Sequence, residues 1–295
     1  ALQVSRRGDR ITTASMRDIK RRKGSVQSTQ QITKAMKLVS TVKLQRAKGR
    51  AEKSKTYFNC MYETVVSMLS KAGEINHPYL KPNNSPKKAV IVITGNRGLA
   101  GGYNSNITKL VRDNDWNKND LIIYPIGTKG RDTFARLGYE MGEDYSSAIE
   151  EPIYADAMKI SSQVVNDFAT GKVGEIYIVY TGFKNTVTHI PTRLKLLPIK
   201  IEDERSDADK AVLDFEPETE EAIDLIIPKY ITSLIYGAMI ESVASENGAR
   251  MQAMDNATNN AEEMISSLSL LYNRARQSAI TQELTEIIAG AQAIS

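Results

Sequence analysis

The placement of proline limits the fold of this chain more than any other feature. All nine prolines lie between Pro78 and Pro228, so the first 77 residues and the last 67 lack the residue that breaks helices most strongly. Each of these two stretches is therefore free to form one long helix. We predict two long terminal helices with a separately folded domain between them.

The C-terminal stretch that begins at Lys229 shows the clearer helical pattern. Its apolar residues recur every seven positions, a second apolar row is offset from the first by three, and further apolar residues follow at spacings of four and three. A narrow stripe of this kind is typical of a helix that pairs with one other helix. The first row is Met254, Ala261, Leu268 and Ala275, the second is Ala257, Met264 and Leu271, and the continuation is Ile280, Leu284 and Ile287.

A helix over most of this stretch would be roughly 90 Å long at about 1.5 Å per residue, several times the radius of a compact domain of this size. It therefore needs a partner, and the N-terminal stretch offers one. The predicted N-terminal seam includes Ile32, Val39 and Val42, which follow Ile19 and Val26 after a slip of one residue. We predict that the two ends pair as one coiled coil. An ordinary bundle is the alternative, although bundle helices usually have a wider apolar face and end sooner.

Positive charge is concentrated near the N-terminus. Residues 1–55 hold sixteen Lys or Arg against three Asp or Glu, a balance of +13 within a total of +4. Nucleic acid is one partner that such a stretch could bind. However, residues 16–55 contain no aromatic side chain that could stack on a base and no recognition motif, so we expect no nucleic acid and favour an acidic protein surface. A solvated basic face is the simpler alternative.

The composition is that of a globular protein, with 41% hydrophobic and 25% charged residues. No apolar run approaches the roughly 20 residues that a bilayer span needs, so we expect none. A single cysteine, Cys60, excludes an internal disulfide and a multi-cysteine metal site. Residues 1–15 contain three arginines and no apolar block, so we expect a disordered extension and not a secretory signal.

In the middle of the chain, short apolar runs alternate with helical segments, which predicts a parallel sheet covered by helices on both faces. The predicted strands are 89–94, 121–126 and 175–181, and the predicted helices are 105–112, 128–137 and 154–168. Residues 186–197 add an edge strand, because Pro191 is hard to place in a central one. Residues 201–221, with ten acidic and two basic side chains, are expected to be a solvated connection.

These patterns predict an α/β fold in which a long antiparallel coiled coil of the N- and C-terminal helices accompanies a central, Rossmann-like parallel-sheet domain. The predicted boundaries are an extension at 1–15, the N-terminal helix at 16–77, the α/β domain at 78–200, the acidic connection at 201–221 and the C-terminal helix at 222–295.

A glycine-rich loop at 95–104 follows the first predicted strand and precedes a helix. Nucleotide phosphates often bind at such a turn, because backbone N–H groups converge there on the positive end of the helix dipole. Yet Arg97 stands where a Rossmann fingerprint needs glycine, and Tyr103 and Asn104 stand where a Walker loop needs Lys and then Ser or Thr. We therefore favour a structural turn or a docking surface over a phosphate site.

The sequence offers little catalytic chemistry. Its two histidines, His77 and His189, have no Cys, His or carboxylate at ligand spacing, and there is no Gly-x-Ser-x-Gly turn. We therefore expect no catalytic residue, no metal site and no cofactor. A nucleotide-binding α/β enzyme with helical arms is the alternative.

Three parts of the chain resemble the gamma subunit of rotary ATP synthases, and with the domain order the resemblance extends over nearly all of the chain from Met16. The matching segments are MRDIKRR with SVQSTQQITKAMKLV, then RGLAGGYN at 97–104, and SENGARMQAMDNA with LYNRARQSAITQELTEII in the C-terminal helix. The chain departs from the family pattern at Lys23 and Gly24, which weaken the first helix locally, and at Asn96 and Ala100 in the loop.

The resemblance implies a non-catalytic rotor shaft that couples H⁺ or Na⁺ flow to ATP synthesis or hydrolysis. Its partners would be a ring of alpha and beta subunits, which hold the nucleotides, the epsilon subunit, and a c-ring that provides an indirect attachment to the membrane. The implied location is the cytoplasmic face of a bacterial plasma membrane, with the mitochondrial matrix side as the alternative. The implied subunit contacts are Lys34, Met36 and Lys37 at the neck of the shaft, and Arg250, Arg276, Gln277 and Thr281 against loops of the beta subunits.

Overall fold

The computed structural model describes residues 16–71, 77–199 and 219–294. Within these ranges lie five α-helices, five β-strands and two short 3₁₀ helices. In chain order they are α1 (Met16–Lys71), β1 (Lys88–Ile93), α2 (Tyr103–Arg112), a 3₁₀ helix (Lys118–Asp120), β2 (Leu121–Ile126), α3 (Thr128–Arg136), β3 (Glu140–Met141), a 3₁₀ helix (Ser146–Ile149), α4 (Tyr154–Ala169), β4 (Glu175–Phe183), β5 (His189–Leu197) and α5 (Thr219–Ile294). The predicted extension at 1–15 and most of the predicted acidic connection lie outside the described residues.

The inner ends of the two terminal helices differ from the predicted boundaries. Helix α1 is described as far as Lys71, and His77, which the prediction included in this helix, is not helical. Helix α5 already includes residues 219–221, which the prediction assigned to the acidic connection. Acidic side chains are favourable in the first turn of a helix because they face the positive end of its dipole, so acidity alone does not indicate a loop.

Helix α5 also contains Pro228. A proline inside a helix removes one backbone hydrogen bond and costs about 3 kcal/mol. The carbonyl oxygen of Pro228 nevertheless accepts from Thr232 Oγ1 at 2.7 Å and from Ser161 Oγ at 3.3 Å. The neighbouring Ile227 and Ile231 are fully buried, and each contributes about 1.5–3 kcal/mol, so packing against the sheet offsets the cost of the proline.

The five strands form one sheet in the order β3-β2-β1-β4-β5. Strands β1 to β4 pair in parallel, and β5 pairs antiparallel with β4 at the sheet edge. The predicted strand at 121–126 coincides with β2, and Pro191 lies on the edge strand, as its missing N–H requires. The predicted mixed helix and sheet architecture is therefore confirmed.

Helices cover both faces of this sheet. On one face, Ile91, Tyr124 and Ile178 pack with α4 and with α5, whose Ile223, Ile227, Ile231 and Ile235 recur every four residues and are fully buried. On the other face, the alternate strand residues pack with α2 and α3 through Ile107, Val111 and Phe134. Strands that are buried on both faces must be apolar throughout, which is why β1 and β2 read as continuous apolar runs.

The described chain divides into two compact units. The α/β unit comprises Val39–Gln252, and the helical-pair unit comprises the chain ends up to Leu38 and from Ala253. We describe each by itself.

In the helical-pair unit, α1 and α5 run antiparallel. Thr33 Oγ1 lies 2.7 Å from Thr258 Oγ1, and Lys37 Nζ lies 2.6 Å from Asp255 Oδ1. The residue numbers of the contacts therefore decrease along α5 as they increase along α1. The buried face of α5 has residues at alternating spacings of four and three. These residues are Met254, Thr258, Ala261 and Leu268, with Ile265, Tyr272 and Ala275 half-buried in the same rows.

The predicted seam of α1 is wrong from Ile32 onwards, whereas Ile19 and Val26 lie on the buried face. Ile32, Val39 and Val42 are 59%, 57% and 50% exposed. A row of buried and half-buried residues instead follows spacings of four and three without any slip: Ile19, Lys23, Val26, Gln30, Thr33, Lys37, Ser40, Leu44 and Ala47. Much of this row is polar, so hydrophobicity could not reveal it. Ile32 and Val39 each precede a seam residue and lie about 100° round the helix from it.

The predicted second row of α5 is also displaced. Met264 and Leu271 are 42% and 47% exposed, whereas their C-terminal neighbours Ile265 and Tyr272 are half-buried. The two true rows are therefore offset by four residues and not by three. On a helix this difference moves the second row to the other side of the first.

We expect Ile32→Ser to change the free energy of unfolding by less than about 0.5 kcal/mol, because the side chain is already in water. Ile19→Ser, at a position that is only 8% exposed, should lower it by about 2 kcal/mol through lost apolar burial. Urea denaturation of the two variants, followed by far-ultraviolet circular dichroism, checks this difference. A larger loss of unfolding free energy for Ile32→Ser than for Ile19→Ser would show that Ile32 lies on the pairing face, as the sequence predicted.

Helix α5 is apolar enough in part to match a membrane span by length and composition. Within Glu221–Gln292, an 18-residue window reaches a mean hydropathy of 1.4, although the sequence shows no unbroken apolar run of that length. More than half of this window, 56%, is buried inside the protein. Packing against the sheet is therefore sufficient to explain its apolar character.

Candidate functional site: helix α5 docked on the glycine loop

The glycine loop, residues 95–102, lies at the carboxyl end of β1. Strand β1 has β2 on one side and β4 on the other, so the chain order reverses at this strand. In open α/β sheets, ligands usually bind in the crevice that forms at such a reversal. The loop therefore stands where a nucleotide would be expected.

Helix α5 occupies this position with a buried ion pair. Arg250 and Glu246, one helical turn apart, are 9% and 8% exposed. Arg250 Nη2 donates a hydrogen bond to Glu246 Oε1 within this ion pair. Arg250 Nε and Nη2 also approach the carbonyl oxygen of Gly98, each at 3.4 Å. We call Glu246, Arg250, Gly95 and Gly98 the Arg250 latch.

Gly95 leaves room for this approach. A Cβ atom at position 95 would lie 2.6 Å from Glu246 Oε1 and 2.7 Å from the carboxyl carbon, closer than real Cβ contacts. At Gly98, in contrast, a Cβ atom would meet nothing within 4 Å. Gly95 therefore leaves space for the Glu246 side chain, and the Gly98 carbonyl oxygen accepts from Arg250.

The loop is braced by side chains from its own surroundings. Asn104 Oδ1 accepts from the backbone N–H of Gly95 at 2.9 Å, and Asn96 Oδ1 accepts from the N–H of Thr128 at 2.8 Å. Leu99 has a φ of 62°, a left-handed conformation that is strained for a non-glycine residue. One backbone donor is thus already used, and a carboxylate faces the loop, which disfavours a phosphate.

The β4–β5 hairpin holds the same turn of α5 from another side. Ser245 Oγ donates to the carbonyl oxygen of Thr181 at 3.0 Å, and a Cβ atom at Gly248 would lie 2.6 Å from His189 Nε2. Burial lowers the pKa of His189, which favours its neutral form. Burial also raises the pKa of Glu241, one turn earlier, whose carboxylate accepts from the N–H of Phe183 at 3.3 Å.

A cleft of 270 Å³ lies beside the latch. Four exposed cations, Lys43, Arg46, Arg50 and Arg97, line it together with the carboxylates of Glu150 and Glu151. With the Glu246–Arg250 pair neutral overall, the lining carries a net positive charge.

The structure separates the predicted contact residues into three groups. Arg250 is not an exposed contact residue but is buried in the latch, because a guanidinium this close to a carboxylate and a carbonyl oxygen is satisfied internally. Met36 and Lys37 are half-buried, with Lys37 paired to Asp255. The exposed residues are Lys34, Arg276, Gln277 and Thr281.

The sequence analysis missed Glu246. It lies four residues before Arg250 within a segment that carried the family resemblance, and this spacing places the two on one helix face. Each histidine has a neighbour of its own: His77 Nε2 lies 3.1 Å from Asp224 Oδ1, and His189 faces Gly248. Among the described residues, no group of three His, Cys, Asp or Glu side chains could hold a metal ion.

Comparisons with known proteins agree with this architecture. A protein-family model described as ATP synthase matches residues 15–294. A protein from Lachnoclostridium phytofermentans named ATP synthase gamma chain is 62% identical over 290 residues, 96% of this chain and 100% of the relative. A protein from Acetobacterium woodii named ATP synthase gamma chain, sodium ion specific, is 40% identical over 299 residues, 95% of this chain and 99% of the relative.

Solved structures share the fold. A chain from the mitochondrial ATP synthase of Euglena gracilis aligns with a TM-score of 0.64 at 17% identity, covering 95% of this chain and 94% of that one. A chain from the central stalk and c-ring of the Tetrahymena thermophila mitochondrial ATP synthase aligns with a TM-score of 0.59 at 24% identity, covering 77% and 99%. Because the family model spans nearly all of the sequence and its relatives match at up to 62% identity over their whole length, this chain belongs to the family of ATP synthase gamma chains.

Proposed function

We propose that this chain is the central rotor shaft of a rotary ATP synthase and is itself non-catalytic. Its antiparallel helical pair would turn inside a ring of alpha and beta subunits, while the α/β unit would contact the epsilon subunit and the c-ring. The observation that carries the proposal is the antiparallel pairing of α1 and α5 at Thr33–Thr258 and Lys37–Asp255 in a chain of this family. The solved chain from Tetrahymena thermophila belongs to a central stalk and c-ring assembly, which supports the same role.

The helical pair has chemically different sides. Helix α1 carries exposed basic residues such as Lys20 and Lys34, whereas α5 carries exposed acidic residues such as Glu262 and Glu263. A shaft of this kind presents a different side to each of three surrounding catalytic subunits. Turning it by a third of a revolution would therefore exchange their conformations and their nucleotide affinities.

A non-catalytic role fits the occupied crevice. Glu246 and Arg250 fill the position where an α/β enzyme would bind a nucleotide, and the carboxylate would repel phosphate. The alternative of a nucleotide-binding enzyme therefore loses its main structural argument. Titration of the purified chain with ATP separates the two, since a rotor should show no binding at micromolar concentrations.

The proposed location is the cytoplasmic face of a bacterial plasma membrane, with attachment through the c-ring. The relatives from Lachnoclostridium phytofermentans and Acetobacterium woodii are bacterial proteins, which supports a bacterial membrane over a mitochondrial one. The test of the whole proposal is reconstitution. Adding this chain to a complex that lacks its gamma chain should restore ATP-driven ion pumping in membrane vesicles, and failure to restore it would refute the proposal.

We expect Arg276→Ala and Gln277→Ala each to reduce ATP-driven pumping by less than about tenfold. Exposed polar contacts are worth about 0–1 kcal/mol each, so the load should be shared along the shaft. Pumping by vesicles that carry each variant, relative to Arg112→Ala at an exposed arginine of α2, measures the effect. Complete loss from one of these substitutions in an assembled complex would contradict shared loading.

A further inference from the structure

The Arg250 latch joins two segments that are far apart in sequence. Gly98 lies in the loop that follows β1, and Arg250 lies 152 residues later on α5. Both segments carried the resemblance to the gamma family. The contact between the two segments gives them a shared structural role, which is to hold α5 against the loop.

The latch fixes the rotation of α5 about its own axis within the α/β unit. Glu246 and Arg250 project from one face of the helix, and both are buried against the loop. The apolar contacts of α5 with the sheet are non-directional, whereas the guanidinium fork is directional. Rolling the helix by a single residue, about 100°, would carry the Glu246–Arg250 pair with it and remove the guanidinium from the Gly98 carbonyl.

The receiving loop is itself fixed. Asn104 and Asn96 bind its backbone and its neighbours, so Gly98 presents its carbonyl oxygen from a braced position. A directional contact to a braced loop resists twisting, which non-directional packing alone does not.

We infer that Glu246 and Arg250 are positioning residues for rotary coupling: they make α5 turn as one body with the sheet. This inference rests on the proposed function, and it assigns Arg250 to a contact inside the chain instead of a contact with the beta subunits. Gly95 is then explained by the docking of a helix and not by a phosphate.

The test uses two glycines of one loop. In the full ATP synthase, Gly95→Ala should push the Glu246 carboxylate away from Arg250, whereas Gly98→Ala places a methyl group in open space. An optical probe attached through Asp115→Cys, in a Cys60→Ser background, reports the angular variance of the α/β unit while the ring is immobilised. We expect Gly95→Ala to raise this variance at least about twofold over Gly98→Ala, with ATP hydrolysis unchanged.

Arg250→Lys is the second variant. It keeps a positive charge for Glu246 but cannot reach Gly98 with two nitrogens of one fork, so its angular variance should lie between those of the two glycine variants. Equal variance for Gly95→Ala, Arg250→Lys and Gly98→Ala would overturn the inference. If Gly95→Ala and Arg250→Lys both fail to assemble, the latch serves folding and the inference also fails.

The two proposals fail in different ways. If the chain is not a rotor, the unsubstituted chain will not restore ATP-driven pumping to a complex without its gamma chain. If only the latch has been misassigned, the unsubstituted chain will restore pumping, and the glycine variants will not differ from each other in angular variance.

Discussion

Leu268→Asp is expected to abolish the pairing of the two chain ends. Leu268 is 8% exposed on the seam of α5, in the same row as Met254 and Ala261. The substitution removes an apolar side chain and places a carboxylate where the seam offers it no water, at a combined cost of about 3–5 kcal/mol. Part of the remaining seam is polar, including Thr33 and Thr258, so little apolar burial is left to offset this loss.

Hydrogen exchange of the α1 amides at 16–38 measures the loss of pairing, because these amides are protected only while the helix is formed. In the assembled enzyme the same variant should abolish ATP-driven pumping. Leu270→Asp is the matched control: it makes the same substitution two residues away, at a side chain that is 61% exposed, and should cost less than about 0.5 kcal/mol. Equal exchange in the two variants would show that Leu268 does not lie on the pairing face.

The sheet could be predicted from the sequence because its central strands are buried on both faces. Burial on both faces demands a continuous apolar run, and Leu121–Ile126 was recognised on that basis with its observed bounds. Strand β3 was not predicted, because Glu140–Met141 is too short to show any periodicity. Its pairing with β2 follows from the tertiary structure alone.

The two halves of the helical seam differed in how far they could be predicted. On α5 the buried row is apolar, so Met254, Ala261 and Leu268 were selected by hydrophobicity and are buried. On α1 the buried row includes Thr33 and Ser40, and the strongest apolar stripe belongs to an exposed face. Between Val26 and Leu44 every residue of this row is polar, so no hydrophobic pattern marks the seam there.

The latch could be predicted only in part. The glycines of the loop predicted either a structural turn or a docking surface, and the sequence alone does not decide between the two. The partner could not be named, because the pairing of Gly98 with Arg250 spans 152 residues and depends on how α5 crosses the carboxyl end of the sheet. Glu246 was not predicted, because its four-residue spacing to Arg250 is by itself typical of a pair on a solvated helix face.

Gly127→Ala is expected to destabilise the α/β unit by more than about 3 kcal/mol. Gly127 joins β2 to α3 with a φ of 113°, a conformation that side chains rarely adopt. A Cβ atom there would lie 2.0 Å from the carbonyl oxygen of Thr94, which is backbone and cannot move aside cheaply. Thr94 Oγ1 also accepts from the N–H of Gly130 at 2.8 Å, so displacing Thr94 would disturb the start of α3 and the strand end that precedes the glycine loop.

The control for this prediction is Gly101→Ala, which separates backbone strain from collision. Gly101 also has a positive φ, 56°, but a Cβ atom there would meet nothing within 4 Å. Its substitution should therefore cost only the conformational strain, about 1–2 kcal/mol. For a unit of this size, each kcal/mol lowers the Tm by about 2–4 °C, so calorimetry should resolve the two variants. Equal losses of Tm would mean that backbone strain alone explains the effect of Gly127→Ala, and that the collision with the Thr94 carbonyl oxygen costs nothing.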